Sequence, residues 1–252
     1  MNEYTLVLPN NFGRYYHYYH FLHGYLLPFI YHIDEIDTND KFLFYDCDTM
    51  NRHILDTNLD ITFDIKNNIP KYKIKKTLRY NGFDSIHHKI RFCPNFPKLL
   101  DNAFNIYKPQ LDKKDNIIII NRSYTEPKVF MNETYGSQRR SIKNINEIYD
   151  AVRNKYPNTE LLELENMSIK EQIEKFYGAK LIIAQHGASL ANLVWCREKT
   201  NFIEISSYDL GNIYMFYGVL SEKKNLTRTV IREHGLHLTI DPNKILDLLP
   251  SL

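Results

Sequence analysis

Three sets of side chains stand where they could handle charge. In KLIIAQHGASLANLVW, residues 180–195, a dense apolar strand runs into His186 and the small residues Gly187 and Ala188 before a helical pattern resumes near Ser189. Strand, tight turn and helix N-terminus together turn backbone N–H groups outward and attract an anion. Arginine supplies the second set. Arg122 follows IIIIN at the carboxyl end of a strand, where open parallel sheets place ligand contacts, and Arg140 lies in the polar loop 133–143, where on its own it reads as a solvated cation. Histidine supplies the third: His17, His20 and His23 are spaced by three, along one helix face about a turn apart, and a histidine can act as a general base. So aromatic a segment also suits a buried helix with satisfied histidines, the reading preferred for His17 and His23. Asp46 and Asp48 follow the apolar KFLFY. Such a pair can hold a divalent cation, but an ordinary polar strand end is the preferred reading.

These groups need a scaffold. A chain of 252 residues with 43% hydrophobic residues can bury real cores. Its net charge of +2, from 32 basic and 30 acidic residues, gives no global reason to expect nucleic acid as a partner, so any anion binding must be local. Cys47, Cys93 and Cys196 suggest neither a disulfide framework nor a metal knot, and point to a reducing compartment. No run approaches the ~20 apolar residues of a membrane span. The start, MNEYTLVLPNN, lacks a basic region followed by an apolar core, and a cytoplasmic location is expected.

Two domains are expected, residues 1–112 and 113–252, joined at the charged stretch LDKKDN after Pro109. In the first, YTLVL, KFLFYDCD and ITFDIK read as strands, and KYKIKKTLRY as a strand or an exposed loop. The segment NNFGRYYHYYHFLHGYLLPFIYHI reads as a buried helix with Asn10 or Asn11 as cap, and the chain turns helical again after Pro97. In the second, NIIIIN, TELLELE, KLIIAQ, NFIEISS and LTRTVIRE read as strands alternating with helices, which implies a parallel sheet covered on both faces. A last helix opens at Pro242, and its apolar side is expected to pack back on the first domain.

Residues 165–195 carry a further signal. Glu165, Ser168, Gln172, His186, Gly187, Ala188, Leu190 and Asn192 resemble the signature of glycosyltransferase family 61. Asn121 and Arg122, followed by Arg140, Ile142, Asn144 and Glu147, resemble the family's Asn-Arg pair and its Arg-x-Ile-x-Asn-x-x-Glu block. YYHFLHGYLLPF at 18–29 resembles its N-terminal helix motif, although the carboxylate that often follows the histidine is replaced by His23-Gly24-Tyr25.

The resemblance implies an α/β fold of GT-B type, two Rossmann-like domains facing a cleft, here with a reduced first domain. It implies inverting, metal-independent transfer of a pentose or N-acetylglucosamine from a UDP-sugar to a glycan or glycoprotein, with no cofactor beyond the donor. On that basis Asn121, Arg122, Arg140, His186, Gly187, Ala188, Asn192 and Glu204 are the expected donor-binding residues, and His20 the expected base. Arg122 and Arg140 would supply the fixed positive charge that a metal supplies elsewhere, and Gly187 and Ala188 would leave room for a diphosphate. Asn192 either lines the pocket or ties the turn. Glu204, expected at a strand end, would accept from ribose hydroxyls or remain a solvated charge. Glu165, Ser168 and Gln172 are read as helix-positioning residues. The alternative function is a catalytically silent nucleotide-sugar or glycan-binding module.

Overall fold

The structure is a computed structural model that describes residues 3–9, 17–64, 69–79, 95–111, 115–122 and 136–249. Asn10, Asn11, His87, His88, Cys93 and most of the charged stretch after Pro109 lie outside them. The chain divides into two compact units, Met1–Gln110 with Ser168–Lys170, and Leu111–Met167 with Glu171–Leu252.

The first unit contains β1 (Glu3–Leu8), α1 (Tyr18–Phe21), a π turn (Leu22–Leu26), α2 (Leu27–Tyr31), β2 (Lys41–Tyr45), α3 (Asn51–Leu55), β3 (Asp60–Asp64), β4 (Lys73–Arg79) and α4 (Phe96–Tyr107). Its strands form a parallel sheet in the order β3-β2-β1-β4. Phe42, Leu43 and Phe44 of β2 are buried in succession, as befits a strand covered on both sides. The segment left open between strand and loop is β4, an edge strand whose exposed lysines discourage further pairing. The expected single helix is interrupted by a π turn. Pro28 follows it with no N–H to offer and a ring that crowds the preceding turn, which a widened turn relieves. Tyr25 in that turn donates from its hydroxyl to Val7 O (2.9 Å) and accepts from Tyr45 N (2.9 Å), bolting the helix to β1 and β2. Asn95 caps α4 by accepting from Lys98 N at 3.1 Å.

The second unit contains β5 (Asn116–Asn121), α5 (Gly136–Arg139), β6 (Ser141–Ile142), α6 (Ile145–Lys155), β7 (Thr159–Glu163), α7 (Ile169–Gly178), β8 (Ala179–Gln185), β9 (Asn201–Ser207), α8 (Met215–Lys223), β10 (Thr227–Glu233), β11 (His237–Leu238) and α9 (Pro242–Leu246). Five strands form a parallel sheet in the order β10-β9-β8-β5-β7. The chain therefore winds one way from β5 to β7, then returns past β5 to β8 and continues outward. That reversal makes the carboxyl edge between β5 and β8 the switch point of a doubly wound sheet, where such folds open a crevice for ligands.

Alternation sorts the side chains of this sheet. Ile117, Ile119, Leu181, Ile183, Ile203 and Ile205 pack on Ile145, Ile148 and Val152 of α6. Ile245 of α9 and Leu249 lie in the same cluster, so the apolar side of the last helix, expected to return to the first domain, is spent inside the second unit. Residues 188–195, expected as an α-helix, form a 3-10 helix. Leu190 through Trp195 are all buried, so no one-sided apolar stripe imposes the 3.6-residue period. The loop expected before α6 contains β6, which pairs in parallel with β11. Among the described residues no helix is long and apolar enough to cross a membrane. Both units are mixed α/β with parallel sheets, a Rossmann-like architecture.

Candidate active site

Arg122 is the first residue after β5, and His186 and Gly187 are the first two after β8, so the three flank the switch point. A β-carbon built on Gly187 would lie 2.0 Å from Arg122 Nη1 and 3.3 Å from its Cζ. Residue 187 is extended (φ 169°), a conformation open to any residue, so the glycine is there for space. That space, expected to admit a ligand's phosphates, holds the Arg122 guanidinium instead. Tyr217 of α8 fixes the turn: its hydroxyl donates to Gly187 O at 2.6 Å, and its ring stands edge-on to His186, centroids 5.2 Å apart.

Arg140 joins this edge through long-range pairing. β6 begins one residue after it and is anchored to β11, while Gln185 Nε2 at the end of β8 donates to Ser141 O (3.3 Å) and Leu236 O (3.2 Å). Arg140 is only 9% exposed, and its buried Nε has no hydrogen-bond partner among the described residues. Burial first, then the charge of Arg122, then that of Arg139, pulls its guanidinium down to about 10. Arg122 is lowered too, by burial and by Arg139, with Glu165 and Tyr217 opposing. Two cations thus stand close together at this edge, and among the described residues one of them has no counter-charge.

Glu204 departs from expectation. It is the fourth of seven residues in β9 rather than the last, and it is fully buried. Its Oε1 lies 2.5 Å from His186 Nδ1, and its Oε2 accepts from Arg228 Nε (2.8 Å) and Nη2 (2.7 Å). The carboxylate is thus an internal counter-charge, closed to ribose. Gly218 of α8 gives Arg228 its room, since a β-carbon there would lie 2.6 Å from Arg228 Nη1. Sequence reasoning missed Tyr217, Arg228 and Gly218, for which no local pattern existed.

Other expected donor residues have structural partners. Asn192 is fully buried; it donates to Gln172 Oε1 (2.8 Å) and Ser189 O (3.2 Å) and accepts from Trp195 Nε1 (3.0 Å). Of its two readings, tying the turn is the one it fulfils. Asn121 donates to Glu163 Oε1 at 2.7 Å across β5 and β7. Ala188 is half-buried where the 3-10 helix begins.

In the first unit, His20 is half-buried in α1, its ring 5.2 Å from that of Tyr19 and 6.2 Å from that of His17. His23 is buried and stacks on Tyr19 at 5.0 Å. Asp46 Oδ1 accepts from Asp48 N (2.9 Å) and Asn51 Nδ2 (2.7 Å), a local turn at the strand end. Among the described residues no three His, Cys, Asp or Glu side chains are grouped so as to hold a metal ion.

The sequence model described as Glycosyltransferase 61 matches residues 18–203, more than half of the chain. The chain belongs to glycosyltransferase family 61. No curated protein matches it. The matched span runs from α1 into β9 and contains His20, Arg122, Arg140, His186, Gly187 and Asn192, while Glu204 lies one residue beyond.

Membership gives the motifs a function to serve, glycosyl transfer, and the geometry divides their labour. In the block from Arg140 to Glu147, Ile142 is a core residue, and Asn144 clamps Ile240 by accepting from its N–H (3.0 Å) and donating to its carbonyl (2.8 Å). Both hold β6 in place, leaving Arg140 as the member whose charge is unspent. In the block from Glu165 to Trp195, Gln172 donates to Met167 O at 3.1 Å and, with Asn192 and Trp195, forms a buried hydrogen-bonded chain under the turn that carries His186 and Gly187.

Proposed function

We propose that this glycosyltransferase takes its sugar from a UDP-sugar and transfers it with inversion, binding the donor's diphosphate at the carboxyl edge between β5 and β8. Arg140 carries the reading: it is buried beside Arg122, with an unpartnered Nε and no described carboxylate to neutralise it. A departing nucleoside diphosphate develops negative charge, and fixed guanidinium groups stabilise that charge without a metal. His186 joins them as a donor from the adjacent strand end, and Gly187 contributes by giving Arg122 its place. The two parallel-sheet units are read as the halves of a GT-B enzyme, with the first receiving a glycan or glycoprotein acceptor and His20 as base. Pentose and N-acetylglucosamine are the candidate sugars, by likeness to the family.

A second reading, a nucleotide-sugar or glycan-binding module without turnover, has one observation in its favour. Neither helical segment around His20 nor the π turn between them contains an acidic residue in its first turn, and residues 17–31 contain no Asp or Glu at all. That segment therefore supplies no carboxylate to orient His20. Incubation with UDP-xylose, UDP-arabinose and UDP-N-acetylglucosamine, scored for UDP release with and without glycan acceptors, decides between the two. Release with one donor, lost in Arg140→Met, supports the enzyme. UDP binding without release from any donor supports the module.

A further inference from the structure

His186 is 4% exposed, and the described contacts of its ring are with Glu204 and Tyr217. Nδ1 sits 2.5 Å from Glu204 Oε1, and the ring edge meets Tyr217, while Nε2 makes no hydrogen bond to a described residue. Glu204 is itself fully buried and bonded through its other oxygen to Arg228. An ionised carboxylate only accepts, so Nδ1 carries a hydrogen and Nε2 of the neutral ring is a bare acceptor. A bare acceptor cannot bond a phosphate oxygen. Adding a proton at Nε2 turns it into a charged donor, and Glu204 stands ready on the far side to stabilise the imidazolium.

We propose that Glu204 and Arg228 are positioning residues for His186, and that binding of a nucleoside diphosphate is coupled to uptake of one proton from solvent onto His186 Nε2. The proposal rests on the donor site lying at this strand edge. The charged and titratable groups at this edge are Glu204 on β9 and Tyr217 on α8, which meet the ring, Arg228 on β10, which meets Glu204, Arg122 after β5, which lies in the slot at Gly187, and Arg140 before β6, which lies within electrostatic reach of Arg122 and Tyr217. Before binding, Arg122 and Arg140 oppose a third cation, because Glu204 is already matched by Arg228. The arriving diphosphate reverses that balance, and the same anion that satisfies the arginines stabilises the protonated ring. Arg228 also keeps Glu204 in place: it grips Oε2 and leaves Oε1 facing His186.

The test is calorimetric titration with UDP at about pH 8, above the ~6 of a terminal phosphate, repeated in buffers of differing ionisation enthalpy to count protons. Wild-type protein should take up protons, at most one per UDP. His186→Gln should bind UDP with no uptake, because the amide donates without a proton from solvent. Glu204→Gln should lower the uptake and weaken UDP binding roughly tenfold. Should that variant fail to fold, Glu204→Gln with Arg228→Met removes the buried carboxylate together with its half-buried partner and should show the same loss of uptake. Equal proton counts in wild type and His186→Gln overturn the proposal, as does uptake indifferent to loss of Glu204. Arg122→Ala separates the two levels of the argument. If UDP affinity ignores it, the donor site itself is misplaced; if affinity falls while the counts stay equal, only the proton coupling fails.

Discussion

Replacing Gly187 with alanine should leave the fold standing and weaken the grip on the diphosphate. The new methyl would sit 2.0 Å from Arg122 Nη1, against about 3.4 Å for ordinary contact, so the guanidinium must retreat by roughly 1.4 Å. The backbone at 187 is extended and tolerates alanine, and what must yield is the tip of a flexible side chain, so stability should change by less than ~1 kcal/mol. A displacement of that size breaks a charge-assisted hydrogen bond, worth about 1.5–3 kcal/mol, which is about ten- to a hundredfold in Kd. Calorimetric titration with UDP, beside a thermal melt followed by far-UV circular dichroism, reads both quantities. Wild-type affinity in Gly187→Ala would refute the reasoning, because the arginine in that slot would not be the one that holds phosphate. A collapsed Tm would refute it differently, by showing the glycine to be a folding requirement.

Arg140→Met should raise the Tm of the free protein by a few degrees while abolishing tight UDP binding, since it removes a buried cation that Arg122 repels and whose Nε has no partner among the described residues; a lower Tm would mean the charge is satisfied. Arg228→Met leaves Oε2 of the buried Glu204 without its guanidinium and should cost about 1–3 kcal/mol in urea unfolding monitored by the single, buried tryptophan, Trp195, whereas adding Glu204→Gln should recover much of that loss. His53 in the first unit is buried among Tyr18 and Phe21, with neither ring nitrogen hydrogen-bonded to a described residue and burial pushing it down to about 3. Between about 6.5 and 3 the unfolded chain binds a proton that the folded one refuses, so stability should fall as pH drops through that window. Urea midpoints across it should fall less steeply in His53→Phe.

Much of the sheet architecture was legible because buried parallel strands appear as unbroken apolar runs, NIIIIN and KLIIAQ above all. Glu204 was a different case. The strand NFIEISS was read over its full length, yet the one charge in its middle was taken for a strand-end group, because a carboxylate buried against His186 and Arg228 has no local signature. Taken alone, Arg140 read as a solvated cation, and only the family resemblance made it a donor residue, because its burial depends on β6 pairing with β11, almost a hundred residues away and two residues long in each partner. No local period encodes such a ribbon. Gly187 was singled out as room for a ligand's phosphates, and nothing local in the sequence says that Arg122 fills that space. Asn192 presented two readings because an amide that ties a turn and one that lines a pocket are spelled alike.

The central claim is that arginines at the β5 and β8 edge, rather than a metal, hold the donor's diphosphate. UDP titrated in EDTA, then with Mn²⁺, against wild type and Arg122→Ala tests it most directly, with uridine as the uncharged control. The account predicts binding in EDTA that Mn²⁺ does not improve, weakened about ten- to a hundredfold by Arg122→Ala, with uridine unaffected. Binding that requires Mn²⁺ and ignores Arg122→Ala would contradict it, and would turn attention to Asp46 and Asp48.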